Sequence, residues 1–246
     1  MNNNIKNNQT DDENEIKKFS EMASEWWNPK GKFAPLHHFN PVRLEYFVNQ
    51  IKKHFSIAPD KQFPFKNLSI LDVGCGGGLI SEPMARLGGK VTGIDASLNN
   101  INVAKFHAKE MNLEINYLDV TPEKMTKSYD VILCLEIIEH VADVDFFIKS
   151  CEKLLKKNGI IIFSTLNRTI KSFLLAIIGA EYILNWLPKG THSYDKFLKP
   201  EEIITNAIKY NLSLNETMGF VYNIIFNEWR KSKDISVNYA LSFTKN

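Results

Sequence analysis

In the stretch LEIIEHV, Glu136, Glu139 and His140 stand at i, i+3 and i+4, so a helical turn there would put two carboxylates and an imidazole on one face. An imidazole that titrates near neutrality can take the proton of a hydroxyl nucleophile, which makes His140 the candidate general base with Glu139 beside it. The same three groups could instead bind a divalent cation, Mg²⁺ or Zn²⁺, that acidifies a hydroxyl it binds. In a third reading His140 only orients a neighbour. Upstream, LSILDVGCGGGLISEPMARLGGKVTGID (68–95) places Gly74, Gly76, Gly77 and Gly78 directly after an apolar run, with Asp72 before them and Asp95 closing the next apolar run. Glycines in that position let a ligand lie against bare backbone. A dinucleotide loop, G-x-G-x-x-G, fails because the sixth position counted from Gly74 is Leu79, and a phosphate-binding G-K-[ST] is missing.

The remaining pattern, D-x-G-x-G-x-G followed by an acid at the end of the second strand, resembles class I S-adenosylmethionine-dependent methyltransferases. With no pyrophosphate to neutralise, such a loop needs close approach to methionine and ribose, which falls to Gly74 and Gly76. Asp95 can accept both ribose hydroxyls. In YLDV, Asp119 could accept from the adenine amino group while Val120 packs on the ring.

Elements must carry these residues to one place. From Leu68 the chain alternates strand-like runs (LSILDVG, KVTGID, INYLDV, YDVILCLE, GIIIFSTL) with helices expected over 80–87, 98–111 and 144–156. That alternation predicts an α/β fold with a doubly wound, mostly parallel sheet. LSLNETMGFVYN and VNYALSFTK read as two further strands, one an antiparallel edge member. Helices over 15–23 and 41–55, the second with Pro at its first turn, would lie over the ligand edge. Residues 1–14 read as a disordered tail and 15–246 as a single methyltransferase domain with a helical insert at 168–200.

The resemblance narrows outside the glycine loop. FSEMASEWWNPKGKFAPLHHFNPVRLEYF (19–47), LEIIEHV, LPKGTHSYDKFLKPEE and GFVYNIIFNEWRKSKDISVNY are together similar to the ubiquinone-biosynthesis O-methyltransferases. Asn28, Ser193 and Ile224 depart from residues usual there. The resemblance implies S-adenosylmethionine as cofactor, with Arg43 on the methionine carboxylate, Gly74 facing it, Asp95 on the ribose and Leu135 near the adenosine. It implies a polyprenylated phenol or quinol substrate, 2-polyprenyl-6-hydroxyphenol and 3-demethylubiquinol, with His192 and Trp27 on the substrate side. It also permits assembly into a quinone-biosynthesis complex.

A polyprenyl tail has to be drawn from a bilayer, and RTIKSFLLAIIGAEYILNWLPKG (168–190) has the composition of a helix lying in a membrane interface. The expected location is cytoplasmic, peripheral to the inner face of the membrane. The longest apolar stretch, 173–187, is broken by Gly179, Glu181 and Asn185 and falls short of the roughly 20 residues a spanning helix needs. With 30 basic and 28 acidic side chains the net charge is only +2, which argues against a nucleic-acid partner. Cys75, Cys134 and Cys151 show no disulfide or zinc spacing, as fits a reducing compartment. Two other functions fit the same residues: methylation of another small lipid-like acceptor, and a non-catalytic scaffold that keeps the cofactor fold.

Overall fold

The computed structural model describes residues 10–175 and 194–246. An eight-stranded sheet runs through it in the order β3-β2-β1-β4-β5-β8-β6-β7. The strands are β1 (Ser69–Val73), β2 (Lys90–Ile94), β3 (Asn116–Leu118), β4 (Tyr129–Leu135), β5 (Leu155–Leu166), β6 (Leu212–Asn223), β7 (Glu228–Ser232) and β8 (Asn238–Lys245). The first five pair in parallel, while β8 runs antiparallel to both β5 and β6, and β7 antiparallel to β6. Parallel strands need crossovers, and these are α3 (Ser81–Arg86), α4 (Leu98–Glu110) and α5 (Val144–Leu154).

The sequence reading thus gave the α/β class and the mostly parallel sheet, and missed β7. EWRKS carries no apolar alternation, because an edge strand buries little of either face. One apolar cluster, including Leu71, Ile132, Phe147, Ile161 and Phe243, packs under α5 and α7 (Pro200–Lys209). A second, including Phe47, Ile51, Ile70, Val131 and Ile162, packs under α2 (Ala34–His54).

Two N-terminal expectations shift. Helix α2 begins seven residues before Pro41, with Pro35 in its first turn, and runs through Pro41 despite the lost backbone donor. Burial of Phe39, Asn40 and Arg43 on both sides of the proline holds it helical. Helix α1 (Glu13–Glu21) starts under an Asp12 cap, and Thr10 is buried with its hydroxyl 2.6 Å from Glu123 Oε2, so the ordered chain reaches back at least to Thr10. A helical turn at α6 (Ile170–Ser172) opens the insert, most of which, with His192 and Trp186, lies outside the described residues.

Candidate active site

The strand order reverses between β1 and β4, and in open α/β sheets the crevice past the strand ends at that point takes the ligand. Gly74 leaves β1 there and Glu136 leaves β4. Both line a cleft open to solvent at its mouth, with a cavity volume of about 110 Å³. Gly76, Asp95, Val120, Glu136, Ile137 and His140 line it from the sheet, and Thr10, Asp12, Glu15, Phe19 and Trp26 from the N-terminal segment.

Asp95 organises the glycine loop. One carboxylate oxygen accepts from Gly76 N–H at 2.9 Å; the other accepts from Ser97 N–H at 2.8 Å and Asn100 Nδ2 at 3.2 Å. Burial pushes its carboxyl up from the ordinary value, opposed by those donors. Gly76 has φ +53°, a left-handed conformation, and a Cβ there would sit 2.3 Å from Trp26 Cζ2. A Cβ on Gly77 would come 2.4 Å from Trp26 Cβ. The bare backbone therefore serves a protein side chain as well as a ligand. The Trp26 indole donates to Asn100 Oδ1 (2.9 Å) and stacks on Phe33.

Trp27 points elsewhere: it stacks on His107, donates to the Gly77 carbonyl at 2.8 Å and does not line the cleft. Of the two adjacent tryptophans, Trp26 is the one that lines the cleft. Leu135 is buried in the α2-side core, and Asp119 is exposed beside Val120; neither lines the cleft.

At the β4 end, Glu136 adopts φ +53°, unusual for a side-chain-bearing residue. Its N–H is fixed by Ser164 O (2.8 Å), and its Oε1 accepts from the Ser164 hydroxyl (2.9 Å) and Arg43 Nη1 (2.9 Å). Arg43 is fully buried, lies over the Phe39 ring and bonds Asn40 Oδ1, while its Nε has no hydrogen-bond partner among the described residues. The turn after Glu136, Ile138–His140, buries Glu139 with neither carboxylate oxygen in a hydrogen bond among the described residues. Burial raises the Glu139 pKa, Glu136 adds to that, and His140 opposes it.

His140 is held from α1: Nδ1 lies 3.0 Å from Glu15 Oε2, and Phe19 meets the ring edge-on. The hydrogen bond from His140 draws the Glu15 carboxyl down to about 2, helped by Lys196, whose Nζ spans Glu15 (2.9 Å) and Asp12 (3.0 Å). An ionised carboxylate only accepts, so Nδ1 is the donor in this hydrogen bond and Nε2 is left to face the cleft side. Nε2 stands 4.0 Å from Glu139 Oε1.

The expected metal set does not assemble: no three His, Cys, Asp or Glu groups among the described residues converge to hold an ion, and Glu136 is turned onto Arg43. Glu15 and Lys196 are the site residues sequence reasoning left out, because they meet through tertiary structure; Trp26 was legible as one of the adjacent tryptophans, read beside Trp27 as lining an aromatic substrate slot.

This fold, with its glycine loop and acid at the switch point, defines a class I S-adenosylmethionine-dependent methyltransferase. The family described as Methyltransferase domain matches residues 71–163. The magnesium protoporphyrin IX methyltransferase of Synechocystis PCC 6803, solved with bound S-adenosylmethionine, superposes with a TM-score of 0.61 over 94% of this chain and 97% of that one, at 15% identity, a likeness of fold. The ubiquinone biosynthesis O-methyltransferase of Pelagibacter ubique (strain HTCC1062) is 56% identical over 94% of this chain and 97% of its own length. Its counterpart in Bartonella quintana (strain Toulouse) is 52% identical over 94% and 95%. The chain belongs to the ubiquinone biosynthesis O-methyltransferase family.

Proposed function

We propose that this chain methylates ring hydroxyls of polyprenylated phenol and quinol intermediates, 2-polyprenyl-6-hydroxyphenol and 3-demethylubiquinol, from S-adenosylmethionine. The carrying observation is that Asp95 with the glycine loop and His140 with its Glu15 partner line one cleft. When bound, the cofactor supplies a methyl group on a positive sulfur, open to direct attack by an oxygen.

Asp95 and the Gly74–Gly76 backbone hold the ribose side, and Val120 packs on the adenine, with Asp119 at its rim. Arg43 carries an unbonded buried Nε, the donor suited to a carboxylate, and Glu136 is the partner it would share. Leu135 supports this end from the core. His140 Nε2 takes the phenol proton, and Glu15 holds the imidazole in the tautomer that leaves Nε2 basic. Glu139, buried beside the base with Oε1 4.0 Å from His140 Nε2, lines that side of the imidazole. His192 belongs to the substrate side of this reading. No step runs through a metal.

The acceptor's tail places the work at a bilayer, with the 168–200 segment lying against the cytoplasmic face. A complex with other quinone-biosynthesis enzymes would deliver such acceptors. Among the described residues no helix is long and apolar enough to cross a membrane. In a bacterium deprived of its own ubiquinone O-methylation, expression of this chain restores ubiquinone; persistent build-up of the unmethylated phenol despite soluble expression contradicts the proposal.

A further inference from the structure

The β6–β7 hairpin carries an apolar tip that the reaction does not use. Ile224, Ile225 and Phe226 are consecutive and 79%, 87% and 64% exposed. Strand register fixes where they lie. Phe220 of β6 pairs with Asn238 of β8, which pairs with Leu166 at the end of β5, so Val221–Asn223 continue past the edge onto which the cofactor cleft opens. The start of the insert is at the same edge: Asn167 and Thr169 bond the carbonyls of Ile235 and Ser236, and Lys171 bonds Asp234. Beside those bonds Ile170, Leu174 and Leu175 are exposed as well.

The tip is a built turn. Asn223 Oδ1 accepts from Ile225 N–H (3.0 Å) and Phe226 N–H (3.2 Å), and Tyr222 bonds Asn227. Two of its backbone donors are therefore satisfied within the loop, which lowers the cost of placing it in hydrocarbon. Below the apolar residues come Tyr222 and Trp229, paired across the strands at 5.4 Å, then Arg230, which pairs with Glu228 and lies 5.1 Å from the Phe226 ring, Lys231, which pairs with Glu45, and exposed Lys233. An apolar tip backed by an aromatic pair matches the order in which a bilayer presents hydrocarbon and interface, and the three cations beside it suit anionic headgroups.

We propose that the 224–226 tip inserts into the surface of an anionic bilayer and, with the start of the insert, holds the cleft facing the membrane. The inference rests on the reading that the acceptor is membrane-held, and adds a contact point separate from the insert.

The test is co-flotation of the full chain with vesicles of phosphatidylcholine and phosphatidylglycerol, for the native sequence and for Ile225→Glu with Phe226→Glu. In parallel, an environment-sensitive fluorophore is attached at Ile225→Cys. A fall in the bound fraction of tenfold or more, with turnover of a short-tailed, water-soluble quinol unchanged, and a blue shift of the fluorophore on adding vesicles are the expected results. Unchanged flotation without a blue shift overturns the proposal. If deleting 173–187 abolishes flotation while the tip variant binds normally, the tip proposal falls and the membrane reading stands. If the native chain fails to float at all, both fall. A change in oligomeric state with unaltered flotation assigns the tip to a second copy of the chain and likewise overturns the proposal.

Discussion

Asp95 has two duties, since the oxygens that would receive ribose hydroxyls already accept from Gly76, Ser97 and Asn100. Asp95→Asn keeps the shape and gives up charge-assisted acceptance, about 1.5–3 kcal/mol, so the S-adenosylmethionine Kd should rise about tenfold to a hundredfold in calorimetric titration. His140→Ala should lower kcat by about 10²–10⁴-fold, the usual weight of a general base, and leave cofactor affinity unchanged. Glu15→Gln should act in the same direction, since the amide no longer dictates the imidazole tautomer. Asp95 and His140 were readable in sequence because each follows a strand in a local pattern. Glu15 was not: its partner is 125 positions away, and one carboxylate among several near the start of the chain carries no mark.

Helix α1 behaves as a strap, tied to the sheet edge at His140, Lys196 and Ser97. The folded-state Glu15 pKa is depressed from 4.5 to about 2, so its ties contribute stability above the upper value and lose it as pH falls through the lower one. Amide exchange across 13–21 should therefore accelerate over that acid window before the β-sheet amides respond. The glycine loop is the strap's other anchor. Gly77→Ala drives a Cβ into Trp26 Cβ, which has no rotamer to escape by, and should destabilise the chain by about 1–3 kcal/mol in chemical denaturation. The central strands and crossover helices were legible from their alternation, with ends moving by a few residues. The start of α2 was not, because a proline reads as a boundary unless burial on both sides carries the helix through it, as Phe39 and Arg43 do around Pro41.

Across the whole molecule the chemistry gathers at one sheet edge. The glycine loop, the β4 turn, the strap, the opening of the insert and the hairpin tip all lie there, and the opposite edge carries none of the residues argued for catalysis. A soluble acceptor would need no such face, whereas an acceptor with a long apolar tail does. The central claim is that this edge transfers a methyl group to a ring oxygen. Its most direct test is incubation of the purified chain with methyl-labelled S-adenosylmethionine and a short-tailed demethylated quinol, with mass spectrometry locating the label. The account predicts label on the ring oxygen, lost with His140→Ala while cofactor binding persists. Label on carbon, or no transfer by a chain that binds the cofactor normally, would contradict it.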